Sequence, residues 1–233
     1  MEKKNNELAV VNKETFAVST DLTASLGEEM QGLNLTFDRI KVPSGGGLAY
    51  EVPSDNPDSP DLAKEIKAVI LYHHPVQSYY KEKFTGGNES PDCASYDGIH
   101  GVEKETGEVK TCKECELNKF GSGENGGKAC KTKRRIFLLL EGSAIPVIFS
   151  MPTTSLNDFS KYILRLVGKN KKSFQVVTKF TLKKEQNAGG ITFSKVVVNT
   201  ERDLTENELK SILPMTEQVK AMAKNMKSES SDE

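Results

Sequence analysis

Four cysteines, Cys93, Cys112, Cys115 and Cys130, carry the most chemistry in their spacing, C-x18-C-x2-C-x14-C. The central Cys112-Lys-Glu-Cys115 brings two thiolates to one ion from a single tight turn, and the outer pair can complete the tetrahedron that zinc prefers. Four sulfur ligands leave no position for a water, so the Zn2+ this spacing predicts is structural. The stretch that carries them, about 85–132, is rich in glycine and lysine and nearly devoid of apolar residues. It cannot bury a core of its own, and zinc on thiolates supplies roughly 10 kcal/mol or more in small modules. Free thiols and a redox pair at Cys112 and Cys115 are the rival readings, and the redox pair lacks the strand-then-helix setting of such pairs. His100 is a candidate substitute ligand at a loop position where exposure is the plainer expectation. His73 and His74 are neighbours on an expected strand, point to opposite faces and do not chelate one ion.

A second pattern mixes rings with cations. Tyr79, Tyr80 and Phe84 alternate with Lys81 and Lys83 at the entrance to the cysteine segment, and Lys131, Lys133, Arg134 and Arg135 follow its exit. Binding of single-stranded nucleic acid without sequence preference uses this mixture, because every base offers a face for stacking and every phosphate asks for a cation. On a strand only one of the two consecutive tyrosines faces outward. Between Lys161 and Lys184 there are eight bases and no acid, Lys169, Lys171, Lys172, Lys179 and Lys183 among them. Residues 1–32 and 201–233 are each net −3, and the whole chain, with 33 acids and 32 bases, is −1. A one-sign block between opposite-sign ends points to an anion-binding surface, with a solvated charged face as the plain alternative. No phosphate-binding glycine loop with Lys-Ser/Thr, no G-x-S-x-G and no H-E-x-x-H occurs, so an enzyme is not expected.

Elements must hold these groups in place. Leu33, Leu35 and Phe37 alternate with polar residues and predict a first strand running to Val42, and Leu48, Tyr50 and Val52 a returning one. The proline- and aspartate-rich 52–61 reads as a loop. Ala68 to Tyr72 is a buried strand expected to bend or bulge at Pro75 and continue to Tyr80. Ile136–Leu140 and Pro146–Met151 predict a hairpin. Ser155-x-x-Asp158 predicts a capped helix start, with Leu156, Phe159, Ile163 and Leu166 at helical spacing and Gly168 as the stop. Phe174–Leu182 and Ile191–Val198 predict a closing hairpin with Phe174, Val176, Phe180 and Leu182 inward and Lys179 and Lys183 outward. Thr205-x-x-Glu208 starts a terminal helix expected to break at Pro214.

This order predicts a mainly β (α+β) fold: an OB-type five- or six-stranded barrel with one internal helix, an inserted zinc knuckle and a C-terminal helix. Another mixed α+β sandwich is the competing fold. The expected organisation is a mobile arm over 1–32, with a short helix near Thr20–Met30, and a core over 33–200 with the cysteine insertion at about 85–132. A helical segment over 201–226 and an acidic disordered tail over 227–233 follow. No apolar run approaches the roughly 20 residues of a membrane span, and Met1–Val11 lacks the apolar core of a secretory signal, so a cytoplasmic protein is expected.

The segments Pro91-Asp-Cys-Ala-Ser-Tyr-Asp-Gly98, Cys112-x-x-Cys115-x-x-Asn118-x-Phe120-Gly-Ser122, Gly127-Lys-Ala-Cys130-Lys and Arg134-Arg135 resemble a group of bacteriophage and mobile-element single-stranded DNA-binding proteins. Pro152-Thr-Thr-Ser155-Leu and Phe159-Ser-Lys-Tyr162 extend the resemblance, which covers about residues 66–200. In design the chain is also similar to the helix-destabilising proteins of T-even phages, which join an OB fold, a zinc module and an acidic tail. Histidine is among the zinc ligands there, whereas four cysteines are expected here. The resemblance implies single-stranded DNA as the partner, a part in phage DNA replication or recombination in the bacterial cytoplasm, and replication or recombination proteins as partners of the acidic tail. The alternative reading is a zinc-ribbon adaptor that docks on a protein, and a nucleic-acid enzyme is the third.

Overall fold

The computed structural model describes residue 16 and residues 22–33, 36–56, 58–82, 90–187 and 189–225. The elements are α1 (Leu22–Glu29), β1 (Arg39–Ile40), β2 (Tyr50–Val52), β3 (Asp61–Ala63) and β4 (Glu65–Tyr79). They continue with β5 (Cys93–Ser95), β6 (His100–Glu103), β7 (Val109–Thr111), β8 (Lys131–Leu140), β9 (Val147–Met151) and α2 (Leu156–Gly168). The chain closes with β10 (Val176–Gln186), β11 (Thr192–Asp203) and α3 (Glu206–Asn225). The protein is mainly β, with a mixed sheet of many strands and a few helices.

Strand β4 is the spine of that sheet. Its first half, with Ile66, Ala68, Val69, Ile70 and Leu71, is buried on both faces, as expected of a continuous apolar run. It pairs antiparallel with β8 along its length, with β10 from Glu65 to Val69, and with β5 from Gln77 to Tyr79. Leu71 is an extra residue against β8, since Ile70 faces Leu138 and Tyr72 faces Phe137. This bulge, and not Pro75, is where the ladder is disturbed. Pro75 pairs in register with Arg134. On its other side residues 70–76 have no strand among the described residues, so no ladder there needs the missing N–H.

One face of the sheet packs Ile136, Leu138, Phe149, Phe180 and Val196 against Phe159, Tyr162 and Leu166 of α2. The other packs Val69, Leu71, Phe137, Leu139, Val177 and Phe16 against Ile212, Met215 and Val219 of α3, with Leu26 of α1 at the margin. Both expected hairpins are present, β8–β9 and β10–β11, and Asn187 closes the second by accepting from the Gly189 and Ile191 N–H groups through Oδ1.

Several expectations are corrected. Among the described residues the sheet does not close into a barrel: β9 pairs on its free side with β1, in parallel, and not with β11. The first strand is short, since only Arg39–Ile40 is extended in the sheet and Leu33 is 65% exposed, while Leu35 lies outside the described residues. Within 52–61, read as a loop, Asp61 already begins β3, which pairs with β2. The Ser155 hydroxyl does not cap α2; it accepts the Val196 N–H of β11 at 2.9 Å, an edge-strand donor buried beside it. The terminal helix continues through Pro214, which is exposed, so water can serve the Lys210 carbonyl that loses its donor. Its start is as expected: Thr205 and Glu208 form a capping box, with the Glu208 N–H on Thr205 Oγ1 at 3.3 Å and the Thr205 N–H on Glu208 Oε2 at 2.9 Å. Phe174 precedes β10 and packs on the α3 face, opposite Val176, Phe180 and Leu182. The tail 227–233 lies outside the described residues, and among them no helix is long and apolar enough to cross a membrane.

Candidate functional site

The cysteine segment folds as a meander, β5–β6–β7, that extends the far end of β4. Its turns are held by polar contacts instead of a core. Asp97 accepts from the N–H groups of Ile99 and His100 at 2.7 and 2.8 Å, from Ser95 Oγ at 3.0 Å and from His100 Nδ1 at 2.9 Å. Partial burial pulls its carboxyl up, and these donors outweigh that and hold it well below the usual carboxylate range. His100 is thereby an exposed partner of Asp97. Asn118 donates to the Cys112 carbonyl at 2.8 Å, and the Cys130 N–H reaches the Leu117 carbonyl at 2.8 Å.

All four cysteines line one cavity of about 20 Å³, together with Gln77 and Tyr79 of β4. Room of that size accepts about one water. Gly101 lets two of the sulfurs come together: a Cβ there would stand 3.0 Å from Cys93 Sγ and 3.4 Å from Cys112 Sγ. Burial pushes the Cys130 thiol up to about 12 and raises Cys93, with the neighbouring cysteines adding to both. Burial also raises Cys112, against the opposing pull of Ser95. Such clustering opposes more than one bare thiolate, and a cation would reverse it. Among the described residues no three or more His, Cys, Asp or Glu side chains are arranged to hold a metal ion, while the four sulfurs line one cavity and are the donor set that a structural zinc takes.

The expected aromatic and basic residues divide by face. Tyr79 turns into the cysteine cavity, whereas Tyr80 lies in a separate depression with Val76, Ser78, Tyr96 and Lys133, none of them from a helix. Strand alternation separates the two tyrosines, as anticipated. Arg135 is 2% exposed and sits 5.6 Å from the centre of the Tyr96 ring, supporting it from below. Tyr72 and His74 continue the row along β4, stacked at 5.5 Å with 20° between planes. Sequence reasoning weighed His74 only as a metal ligand and did not place Tyr72, His74 or Tyr96 among the rings of this face, although period-two alternation back from Tyr80 through Ser78 and Val76 reaches the first two. Arg134 points the other way, donating from Nε to His73 Nδ1 at 2.7 Å, with His73 edge-on to Phe159 at 5.3 Å. Burial, then the Arg134 and His74 charges, push the His73 imidazole down to about 4. Lys131 is exposed at the start of β8. Lys81 is engaged, its N–H on Asp92 and its Nζ 3.3 Å from Glu105. Lys83 and Phe84 lie outside the described residues.

The block of bases at 161–184 is less cationic in space than in sequence. Lys171 bonds both carboxylate oxygens of Asp203 at 2.7 Å, Lys179 meets Glu201 at 3.0 Å, and Lys183 meets Glu185 at 2.6 Å. Glu201 is the bulged residue of β11 and also holds Lys67 at 2.7 Å. The acids that sequence placed at the far end thus return across the hairpin. Among the described residues Lys169 makes no ion pair, and Lys172 lies 5.8 Å from the Phe174 ring centre.

Comparison with protein-family models, curated proteins and solved structures finds no match to this chain.

Proposed function

We propose that this chain binds single-stranded DNA through the row of rings and cations on the second half of β4, and that a structural zinc ion on Cys93, Cys112, Cys115 and Cys130 stiffens the neighbouring meander. The observation that carries the reading is the depression in which Tyr80 and Tyr96 stand beside Lys133, with Arg135 beneath Tyr96. Rings offer stacking to any base, and Lys131 and Lys133 offer charge to phosphates. The order β4, β8, β9, α2, β10, β11 supports an OB-like origin for the sheet, as it places one helix between the third and fourth of five strands. The action is a binding equilibrium: a protein that holds single strands better than duplex stabilises the open state and shields it during replication or recombination of a phage or mobile element. Zinc, when bound, supplies a cross-link between four thiolates and no reacting ligand position.

The test is a fluorescence titration with oligo-dT and with duplex of equal length at two salt concentrations. Tight, salt-dependent binding of oligo-dT with weak binding of duplex is expected; equal or absent binding overturns the reading. The adaptor reading draws on one observation, the exposed apolar residues of the cysteine segment, where Phe120 is 82% and Val109 61% exposed. It gains if the titration fails.

A further inference from the structure

We infer that the cavity between the end of α2 and the middle of α3 is a nucleotide subsite, taking one nucleobase together with its phosphate. The cavity measures about 350 Å³, within the range of roughly 300–1,000 Å³ typical of small-ligand sites. It lies at the interruption in the β4 edge, where β10 pairs no further than Val69 and β5 begins only at Gln77. The Leu71 bulge brings three consecutive residues, Leu71, Tyr72 and His73, to its wall.

The lining has two chemistries. Tyr72, Phe174, Ile163 and Val167 give flat aromatic and apolar surface suited to a base. Lys171, Lys172 and Lys220 stand against a single carboxylate, Glu217. Lys171 is held by Asp203, and the Lys220 ammonium is 3.9 Å from Glu217, a loose and exposed pair. Lys172 and Lys220 are therefore the cations for a phosphate. Tyr72 belongs both to this cavity and to the stacked pair with His74, so a strand lying along the second half of β4 would reach the subsite at its end. That polymeric ligand rests on the single-strand reading; the subsite itself does not.

Calorimetric titration of the full chain with dTMP, thymidine and inorganic phosphate tests the assignment, with oligo-dT titrated in parallel. Wild type should bind dTMP, and thymidine and phosphate each more weakly by about tenfold or more, as loss of one charge-assisted or one stacking half predicts. Val167→Trp, placed from a residue 62% exposed, should fill the mouth and abolish dTMP binding. Lys172→Ala with Lys220→Ala should weaken it about tenfold or more, and this second variant decides the matter if Val167→Trp does not fold. No dTMP binding by wild type, or full dTMP affinity in the folded variants, overturns the subsite even where oligo-dT binds tightly. If wild type ignores oligo-dT while dTMP binding is lost in the variants, the subsite stands for a free mononucleotide and the single-strand reading falls.

Discussion

The two halves of β4 share one ladder with β8 and are held by different physics. From Ile66 to Leu71 the side chains are 5% exposed or less, apart from Lys67, and sit between two helices. From Tyr72 to Tyr79 only His74 and Val76 are buried, and histidine, proline, glutamine and tyrosine contact arginine, a meander and a cluster of thiols. Apolar burial stabilises the first half without specifying any ligand. The second half retains polar groups whose partners must be supplied, and it is there that surface chemistry collects.

The sharpest break between the halves should come from the cysteines. Purified protein is expected to carry one zinc per chain by mass spectrometry, and Cys112→Ser or Cys115→Ser should release it. Loss of an ion worth roughly 10 kcal/mol to such modules should then expose residues 85–132 to protease while amide exchange of Ile66–Ile70 stays slow. Metal-free protein that protects the segment fully would remove the distinction. Next in size, Ile70→Ala should lower global stability by about 2–5 kcal/mol in urea unfolding, whereas Ser78→Ala should change it by less than about 1 kcal/mol. Comparable losses at both positions would show that the second half is core as well.

His73 gives the third test. Its folded value of about 4 lies below the ordinary value of about 6.5, so the unfolded chain takes up the proton first as pH falls. Its contribution is present above about pH 6.5 and lost progressively toward pH 4, by roughly 2–3 kcal/mol. His73→Gln, which retains an acceptor for Arg134, should remove that part of the slope; identical pH profiles for the two proteins would contradict it. The smallest effect belongs to the surface: Tyr80→Ala should weaken oligo-dT binding by about 1–3 kcal/mol with little change in unfolding. Tyr79→Ala, whose ring faces the thiols, should disturb the meander more than the binding.

Much of the frame was legible in the sequence. Turn residues and alternation marked both hairpins, and the spacing of Phe159, Ile163 and Leu166 marked α2, because these signals are local. The opposite orientations of Tyr79 and Tyr80 followed from strand geometry alone. What could not be read depends on distant partners. The carboxylates of Glu201 and Asp203 neutralise Lys179 and Lys171 only once β11 folds back. Ser155 gives its oxygen to Val196, 41 positions away, instead of to its own helix. Pairing of β1 with β9 turns an expected barrel into an open sheet. A proline read as a bend or a stop is tolerated where its missing N–H faces no ladder, as at Pro75, or leaves the Lys210 carbonyl to water, as at Pro214, and that is a fact about neighbours.

The single extra residue at Leu71 acts on β4 as an insertion acts on a reading frame. Before it, even-numbered side chains face α2; after it, odd-numbered ones do, so Ile70 and His73 share a side while Tyr72 joins Leu71 on the other. Everything downstream inherits that phase: Tyr79 toward the thiols, Tyr80 toward Lys133. Pairing Leu71 as an ordinary ladder residue would shift everything after it by one against β8 and exchange the two faces, sending Tyr80 toward the cysteines and Tyr79 toward solvent, whereas deleting Leu71 would leave Ile70 opposite Leu138, Tyr72 opposite Phe137 and each ring on its present face. The position of the rings is thus set by their pairing with β8, and the bulge is what lets both halves of β4 keep their faces despite the extra residue between them.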